Sequence, residues 1–267
     1  MEQNGKVPNF NEVFLLILVS NDDGVDSKGL RTLVQVLRTI GRTVVVAPDR
    51  ERSAAGHSLT LHKPLRVHAL RKDVYSVNGT PTDCITLGIH TILKETPSLL
   101  VSGINCGSNL GDNITYSGTV SAAMEGSLLG IPSMAVSLTN SGRLRFKAAA
   151  VVTLRLAEKV LRNGLPPGTF LNVNVPNIPP DQIQGVRVTT LGKRVFKDPV
   201  TEKKDPRGRP YYWIGGEEVV WKRGENSDYE AIEQRYVSVT PLHLDLTHHA
   251  VLAKMKRIFQ NGSVYPS

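Results

Sequence analysis

Phe14–Val19 is an uninterrupted apolar run that stops at Ser20-Asn21-Asp22-Asp23-Gly24. A strand apolar on both faces has to be covered on both faces, as in a parallel sheet between helical layers. Leu30, Leu33, Val34, Leu37 and Ile40 then recur at helical spacing up to Gly41, a natural helix stop. Thr43–Ala47 is a second apolar run, closed by Pro48-Asp49. Strand, helix and strand in so short a stretch make a right-handed βαβ crossover, and a chain that begins this way is committed to an α/β fold.

The alternation continues. Leu65–Leu70 and Val74–Val77, with a basic turn between them, read as a hairpin or two short strands. A helix is expected from about Thr82 to Leu93 and a strand at Leu99–Ser102. Next come a helix at Val120–Leu129, closed by Gly130 and Pro132, a strand at Met134–Leu138 and a long amphipathic helix at Phe146–Arg162. The expected architecture is a mostly parallel sheet with helices on both faces. Gly185–Gly192 and Tyr211–Ile214 are short strand-like runs around the charged stretch Lys193–Pro210, which reads as an exposed hairpin or projecting arm. Tyr236–Thr240 is a strand. Leu246–Phe259 is expected to be a terminal helix, with Leu246, Val251, Leu252, Met255 and Phe259 on its apolar side. The first 14 residues are polar and unpatterned, as in a loose tail. With no repeat, low-complexity tract or clear linker, residues 1–267 read as a single domain.

Composition excludes several classes. With 40% hydrophobic and 21% charged residues the chain is of ordinary globular type. Its first apolar run is far short of the ~20 residues a membrane span needs, and no basic segment precedes it as in a secretory leader. A soluble, cytoplasmic protein is expected. Cys84 and Cys106 lack metal-ligand spacing and are too few for a disulfide scaffold, so both are expected to be buried small apolar residues in a reducing compartment. Residues 1–135 carry twelve basic and twelve acidic side chains, and residues 136–267 the remaining twenty and twelve, so the formal charge of +8 belongs to the second half. Zinc-finger spacing, aromatic RNP motifs and basic heptads are absent. The charge is compatible with an anionic ligand and says no more.

Four polar or glycine-rich loops each follow an expected strand, and in open α/β sheets such loops converge at the carboxyl ends of the strands. In the first, Asp22 and Asp23 are adjacent carboxylates that repel unless a cation lies between them. Hard divalent ions take such oxygens, and a solvated Asp-Gly turn is the alternative. The second, Ala47–Ser58, is longer than a tight turn requires. The third, Val101–Asp112, places glycines at 103, 107 and 111 and offers Asn105 and Asn109. The fourth, Tyr116-Ser117-Gly118-Thr119, opens a helix, where Ser117 or Thr119 is a cap and the backbone amides equally suit a phosphate. Dinucleotide-binding, P-loop, nucleophile-elbow and H-E-x-x-H patterns are all missing.

Together these segments resemble the SurE (survival protein E) family of metal-dependent 5′/3′-nucleotidases. The resemblance rests on Ile17–Gly24 (ILVSNDDG), Val45–Thr60 (VVAPDRERSAAGHSLT), Val77–Asp83 (VNGTPTD), Val101–Gly111 (VSGINCGSNLG), Tyr116–Glu125 (YSGTVSAAME) and Val237–Leu242 (VSVTPL). It implies a Rossmann-like three-layer αβα core over about residues 15–180. It also implies a C-terminal oligomerisation extension over about 181–267, made of the hairpin, a return strand and the last helix. The implied metal ligands are Asp22, Asp23, Ser53 and Asn105, for one Mg²⁺ or Mn²⁺ per subunit, with Asp22 and Asp23 also catalytic. Asn109, Ser117, Gly118 and Thr119 fall at the implied site of the substrate phosphate. Two departures stand beside these residues. Ser27-Lys28-Gly29 replaces the usual Ala-Pro-Gly, and Ala54 replaces the glycine that usually follows Ser53. The expected activity is metal-assisted hydrolysis of nucleoside monophosphates by a homodimer or homotetramer that does not bind membranes. The alternatives are a phosphatase of short polyphosphate or other monoesters, and a non-catalytic nucleotide-binding protein.

Overall fold

The computed structural model describes residues 15–139, 142–197, 200–214, 218–222 and 224–260. The tail expected over residues 1–14 lies outside them. The strands are β1 (Leu16–Ser20), β2 (Arg42–Pro48), β3 (Val67–Arg71), β4 (Val74–Val77), β5 (Leu99–Cys106), β6 (Ser133–Leu138), β7 (Thr169–Val175), β8 (Val186–Val188), β9 (Lys193–Lys197), β10 (Val200–Lys204), β11 (Pro210–Ile214), β12 (Glu218–Lys222) and β13 (Val237–His243). The α-helices are α1 (Lys28–Leu37), α2 (Pro81–Leu87), α3 (Gly118–Leu128), α4 (Phe146–Asn163), α5 (Asp228–Glu233) and α6 (Leu252–Gln260).

Nine strands form one sheet in the order β3-β4-β2-β1-β5-β6-β7-β13-β8. All neighbours run parallel except β3 against β4 and β7 against β13. Side chains alternate across β1: Ile17 and Val19 pack with Leu30, Leu33, Phe146 and Ala149 of α1 and α4, while Leu16 and Leu18 pack with Ile85, Val120 and Ala123 of α2 and α3. The apolar run at the start of the chain is therefore buried on both sides, and the molecule has three αβα layers.

Several expectations need correcting. β7 was not foreseen, because Asn172 and Asn174 interrupt its apolar character, yet both are fully buried. The helix expected over Thr82–Leu93 is regular only to Leu87, continues as a wider turn over Gly88–Ile92, and starts from a capping box in which Thr80 and Asp83 satisfy each other's backbone N–H. β5 runs on to Cys106, so the third loop starts four residues later than the strand end expected at Ser102. Cys84 is buried, whereas Cys106 is exposed, because its strand has by then left the core. The terminal helix starts at Leu252 rather than Leu246 and has no buried residue. The paired strands extend past the expected stretch Lys193–Pro210, as far as Lys222. They form antiparallel ladders of β9 with β12 and β10 with β11, closed at a turn where the Asp205 carboxylate accepts from Arg207 N and Arg209 N.

Candidate active site

β1 delivers the first loop at the carboxyl edge of the sheet. There buried Asn21 folds the chain back on itself, its Nδ2 donating to the Gly24 carbonyl at 3.0 Å and to Ser27 Oγ at 2.8 Å. Ser27 in turn caps α1. This turn presents Asp22 and Asp23 side by side. Asp22 is almost completely buried, and its Oδ1 accepts the hydroxyl proton of Thr119 at the start of α3. Asp23 Oδ2 accepts the Cys106 N–H at 3.2 Å, so the end of β5 holds the second carboxylate.

The second loop is laced to its neighbours along its length. Arg52 N donates to the Asp22 carbonyl at 2.7 Å and Gly56 N to the Tyr116 carbonyl at 3.2 Å, while His57 Nε2 meets Glu125 Oε2 of α3 at 2.8 Å. Ser53 sits between these ties, its Oγ donating to Glu51 Oε1 at 2.6 Å and keeping lone pairs for another partner. In the third loop Asn105 Nδ2 donates to the Gly107 carbonyl at 2.8 Å, which leaves the amide oxygen as the atom offered outward. Asn109 is held from below. Its N–H donates to Asn174 Oδ1 at 2.8 Å, its carbonyl accepts from Asn172 and Asn174 at 2.9 Å each, and its Nδ2 donates to Ser137 Oγ at 2.8 Å.

Asp22, Asp23, Ser53, Asn105, Asn109 and Ser117 line one open cavity of about 450 Å³. Gly118 and Thr119 stand behind it rather than in its wall. The Thr119 hydroxyl serves Asp22, and Gly118 packs so closely that a Cβ there would lie 2.8 Å from the Asp22 Cβ. Ser117 caps α3 by accepting from Val120 N at 3.1 Å. Sequence reasoning missed Asn113 and Tyr116 as parts of the wall, and Glu51, Cys106 and Ser108 as well. All but Tyr116 look like ordinary loop residues, and only an aromatic ring immediately before a helix cap was a usable signal.

Three carboxylates, those of Asp22, Asp23 and Glu51, share the cavity wall. Burial, and then the charge of Asp22, push the Asp23 carboxyl up to about 6, against the pull of the Cys106 N–H, and Glu51 adds a smaller push. Burial also raises Asp22, although Thr119 stabilises its anion. Among the described residues no group of three or more His, Cys, Asp or Glu has metal-ligand geometry. A cation here would have two carboxylates, completed by the Ser53 hydroxyl and the Asn105 amide oxygen. That all-oxygen set fits a hard divalent ion, which tolerates few protein carboxylates and relieves the repulsion between them. Among the described residues no helix is long and apolar enough to cross a membrane.

Comparison with known proteins gives the same picture over most of the chain. The family profile described as Survival protein SurE matches residues 17–198. A protein of Geobacter metallireducens named 5′-nucleotidase SurE is 55% identical over 241 residues, covering 90% of this chain and 96% of the relative. One of the same name from Geobacter sulfurreducens is 55% identical over 238 residues, covering 89% and 91%. The crystal structure of the SurE protein from Aquifex aeolicus superposes with a TM-score of 0.84 at 48% identity, covering 91% of this chain and 99% of that one.

Proposed function

The chain belongs to the Survival protein SurE family, and from that membership we propose that it is a 5′-nucleotidase, hydrolysing nucleoside monophosphates to nucleoside and phosphate. The observation that carries this reading is the meeting of Asp22, Asp23, Ser53 and Asn105 at one cavity beside the N-terminus of α3. These four residues would hold one Mg²⁺ or Mn²⁺ per subunit, which when bound supplies positive charge against the phosphate and acidifies coordinated water.

The chain's own groups do the rest. The N-terminus of α3 lies directly behind Asp22 and Ser117, and the positive end of its dipole adds a field that favours an anion in the cavity. Asn109, fixed at both its N–H and its carbonyl, orients the phosphate from the opposite side without moving during the reaction. Asp22 has one oxygen engaged by Thr119 and Asp23 one by Cys106, so each retains an oxygen to take the proton of the attacking water. Direct attack by water is the reading adopted, with the Ser53 hydroxyl assigned to the cation and the Thr119 hydroxyl to holding Asp22.

Two further properties belong to the proposal. Cys84 and Cys106 are free thiols, which suits the cytoplasm. The C-terminal segment from about Tyr236 onward supports assembly into a dimer or tetramer, since the apolar residues of α6 are uncovered within one subunit. Phosphate release from a panel of nucleoside monophosphates, with Mg²⁺ or Mn²⁺ and again with EDTA, tests the activity. Metal-dependent turnover of the nucleotides, faster than that of short polyphosphates, is expected. Turnover of polyphosphate alone, or salt-sensitive oligonucleotide binding without turnover, overturns it.

A further inference from the structure

Between the cavity and the projecting arm lies a buried carboxylate that the chemistry above does not use. Asp228, the first residue of α5, is fully buried and accepts three backbone N–H groups at 2.8 Å. Its Oδ2 takes that of Gly111, and its Oδ1 takes those of Gly192 and Tyr229. One anion thus ties the third loop to the residue before β9 and to α5. The contact is close: Gly111 has φ +52°, and a Cβ there would lie 2.4 Å from the Gly192 carbonyl oxygen and 3.0 Å from the Trp221 ring. Trp221 itself stacks on Tyr229, with ring centroids 4.5 Å apart. A second tie comes from the base of the arm, where Arg194 donates to Asn113 Oδ1 at 2.8 Å.

What these bonds hold is the short turn Gly111–Tyr116, a 3₁₀ helix whose Asn113 and Tyr116 line the cavity. The rest of the wall has other supports: Thr119 of α3 for Asp22, and Asn172 and Asn174 of β7 for Asn109. The cavity therefore has two walls with different side-chain supports, joined where Gly56 N donates to the Tyr116 carbonyl at 3.2 Å. One is acidic and amide-lined, suited to a cation and a phosphate. The other presents a tyrosine ring, 67% exposed, and an asparagine whose Oδ1 is already occupied by Arg194, so that its NH₂ group is the donor left for a ligand. An aromatic face and a neutral donor suit a base and a sugar rather than a second phosphate.

We propose that Asp228 and Arg194 are positioning residues for the nucleoside half of the substrate, holding Asn113 and Tyr116 as the wall that receives sugar and base. The proposal rests on the nucleotidase reading above. It makes the C-terminal region part of substrate selection.

The test uses the metal-loaded protein. Asp228→Asn keeps shape and, with its oxygen toward Gly192 and Tyr229, turns an NH₂ group onto the Gly111 N–H, releasing the loop. Arg194→Met keeps the stem and removes the donor. Each variant should raise the KM for nucleoside monophosphates at least about fivefold, the size of one lost hydrogen bond. Inhibition by inorganic phosphate, which needs only the acidic wall, should stay within about twofold of parental. Adding Arg194→Met to Tyr116→Ala should cost little beyond Tyr116→Ala alone, since both act through one wall. Thermal melts identify folded variants, and Arg194→Met carries the comparison if Asp228→Asn does not fold. An unshifted nucleotide KM in a folded variant, or phosphate inhibition weakening in step with KM, overturns the proposal. A parent without metal-dependent turnover overturns the nucleotidase reading instead.

Discussion

Asp22 and Asp23 are consecutive carboxylates in a partly desolvated loop, where burial and the charge of Asp22 make Asp23 harder to ionise. Asp23→Asn keeps size and hydrogen-bonding capacity while removing one charge. Its activity should fall by more than the ~10–100-fold typical of changes one layer out from a metal. Its metal-free melting temperature should be no lower than that of the metal-free parent, and the stabilisation by added Mg²⁺ or Mn²⁺ should shrink. Parental activity at low metal would remove Asp23 from the site. Glu125 gives a residue-scale pH dependence. The hydrogen bond with His57 holds its carboxyl below the usual glutamate range, burial opposes this, and Thr86 and the charges of His57 and His90 add to the lowering. A carboxyl lowered in the folded state contributes stability above its unfolded value, and that contribution disappears as pH falls through the folded value. Glu125→Gln should therefore melt below the parent at pH 6, by up to about 1 kcal/mol after allowance for partial exposure. The gap should close under acid conditions. A gap independent of pH would mean that only packing was lost.

At the scale of elements, α3 does two jobs. Its first turn is capped by Ser117 and holds Asp22 through the Thr119 hydroxyl, and its body packs against β5 and β6 through Val120, Ala122 and Ala123. Helix propensity alone favours alanine over glycine by ~1 kcal/mol at an interior position. Gly118 is nevertheless glycine because α3 starts against the loop of β1: an added Cβ would stand 2.8 Å from Asp22 Cβ, 3.0 Å from Asp22 Oδ2 and 3.1 Å from Pro81 Cγ. Gly118→Ala should cost about 1–3 kcal/mol of stability through overpacking. It should also lower activity by ~10-fold or more, because Asp22 must shift. A melt beside a phosphate-release assay separates the two losses. An active, stabilised variant would show that α3 can retreat from the loop.

The whole molecule joins a closed core to apolar surface that one subunit leaves uncovered. Tyr211, Tyr212, Trp213 and Ile214 are exposed on the arm, and Leu246, Leu252, Ile258 and Phe259 are exposed on and before α6. The dimer or tetramer proposed above would cover these apolar side chains. Light scattering at micromolar concentration should give at least twice the 29.2 kDa of one chain. Phe259→Asp should move the distribution toward smaller species if α6 is in the interface. A parent that runs as a compact monomer contradicts the assembly.

The sequence by itself determined the layers and the place of the site. Apolar runs in β1, β2, β5 and β6 and helical spacing in α1 and α4 are local signals, and a polar loop after a buried strand can only lie at the sheet's carboxyl edge. Asp22, Asp23, Asn105 and Asn109 stood out as candidates on those terms, Ser53 came from the family resemblance alone, and the structure brings all five to one cavity. What only the tertiary structure decided is who pairs with whom. Asn172 and Asn174 look like breaks in a strand until Asn109 is seen against them, and the Thr119 hydroxyl looks like a helix cap until Asp22 accepts it. Asp228 and Gly111 are 117 positions apart, and nothing near either residue specifies the other. Periodicity is a property of a few neighbouring residues and survives in the sequence. A buried hydrogen bond depends on which distant segments the assembled sheet brings within 3 Å, and that distance exists only once the chain has folded.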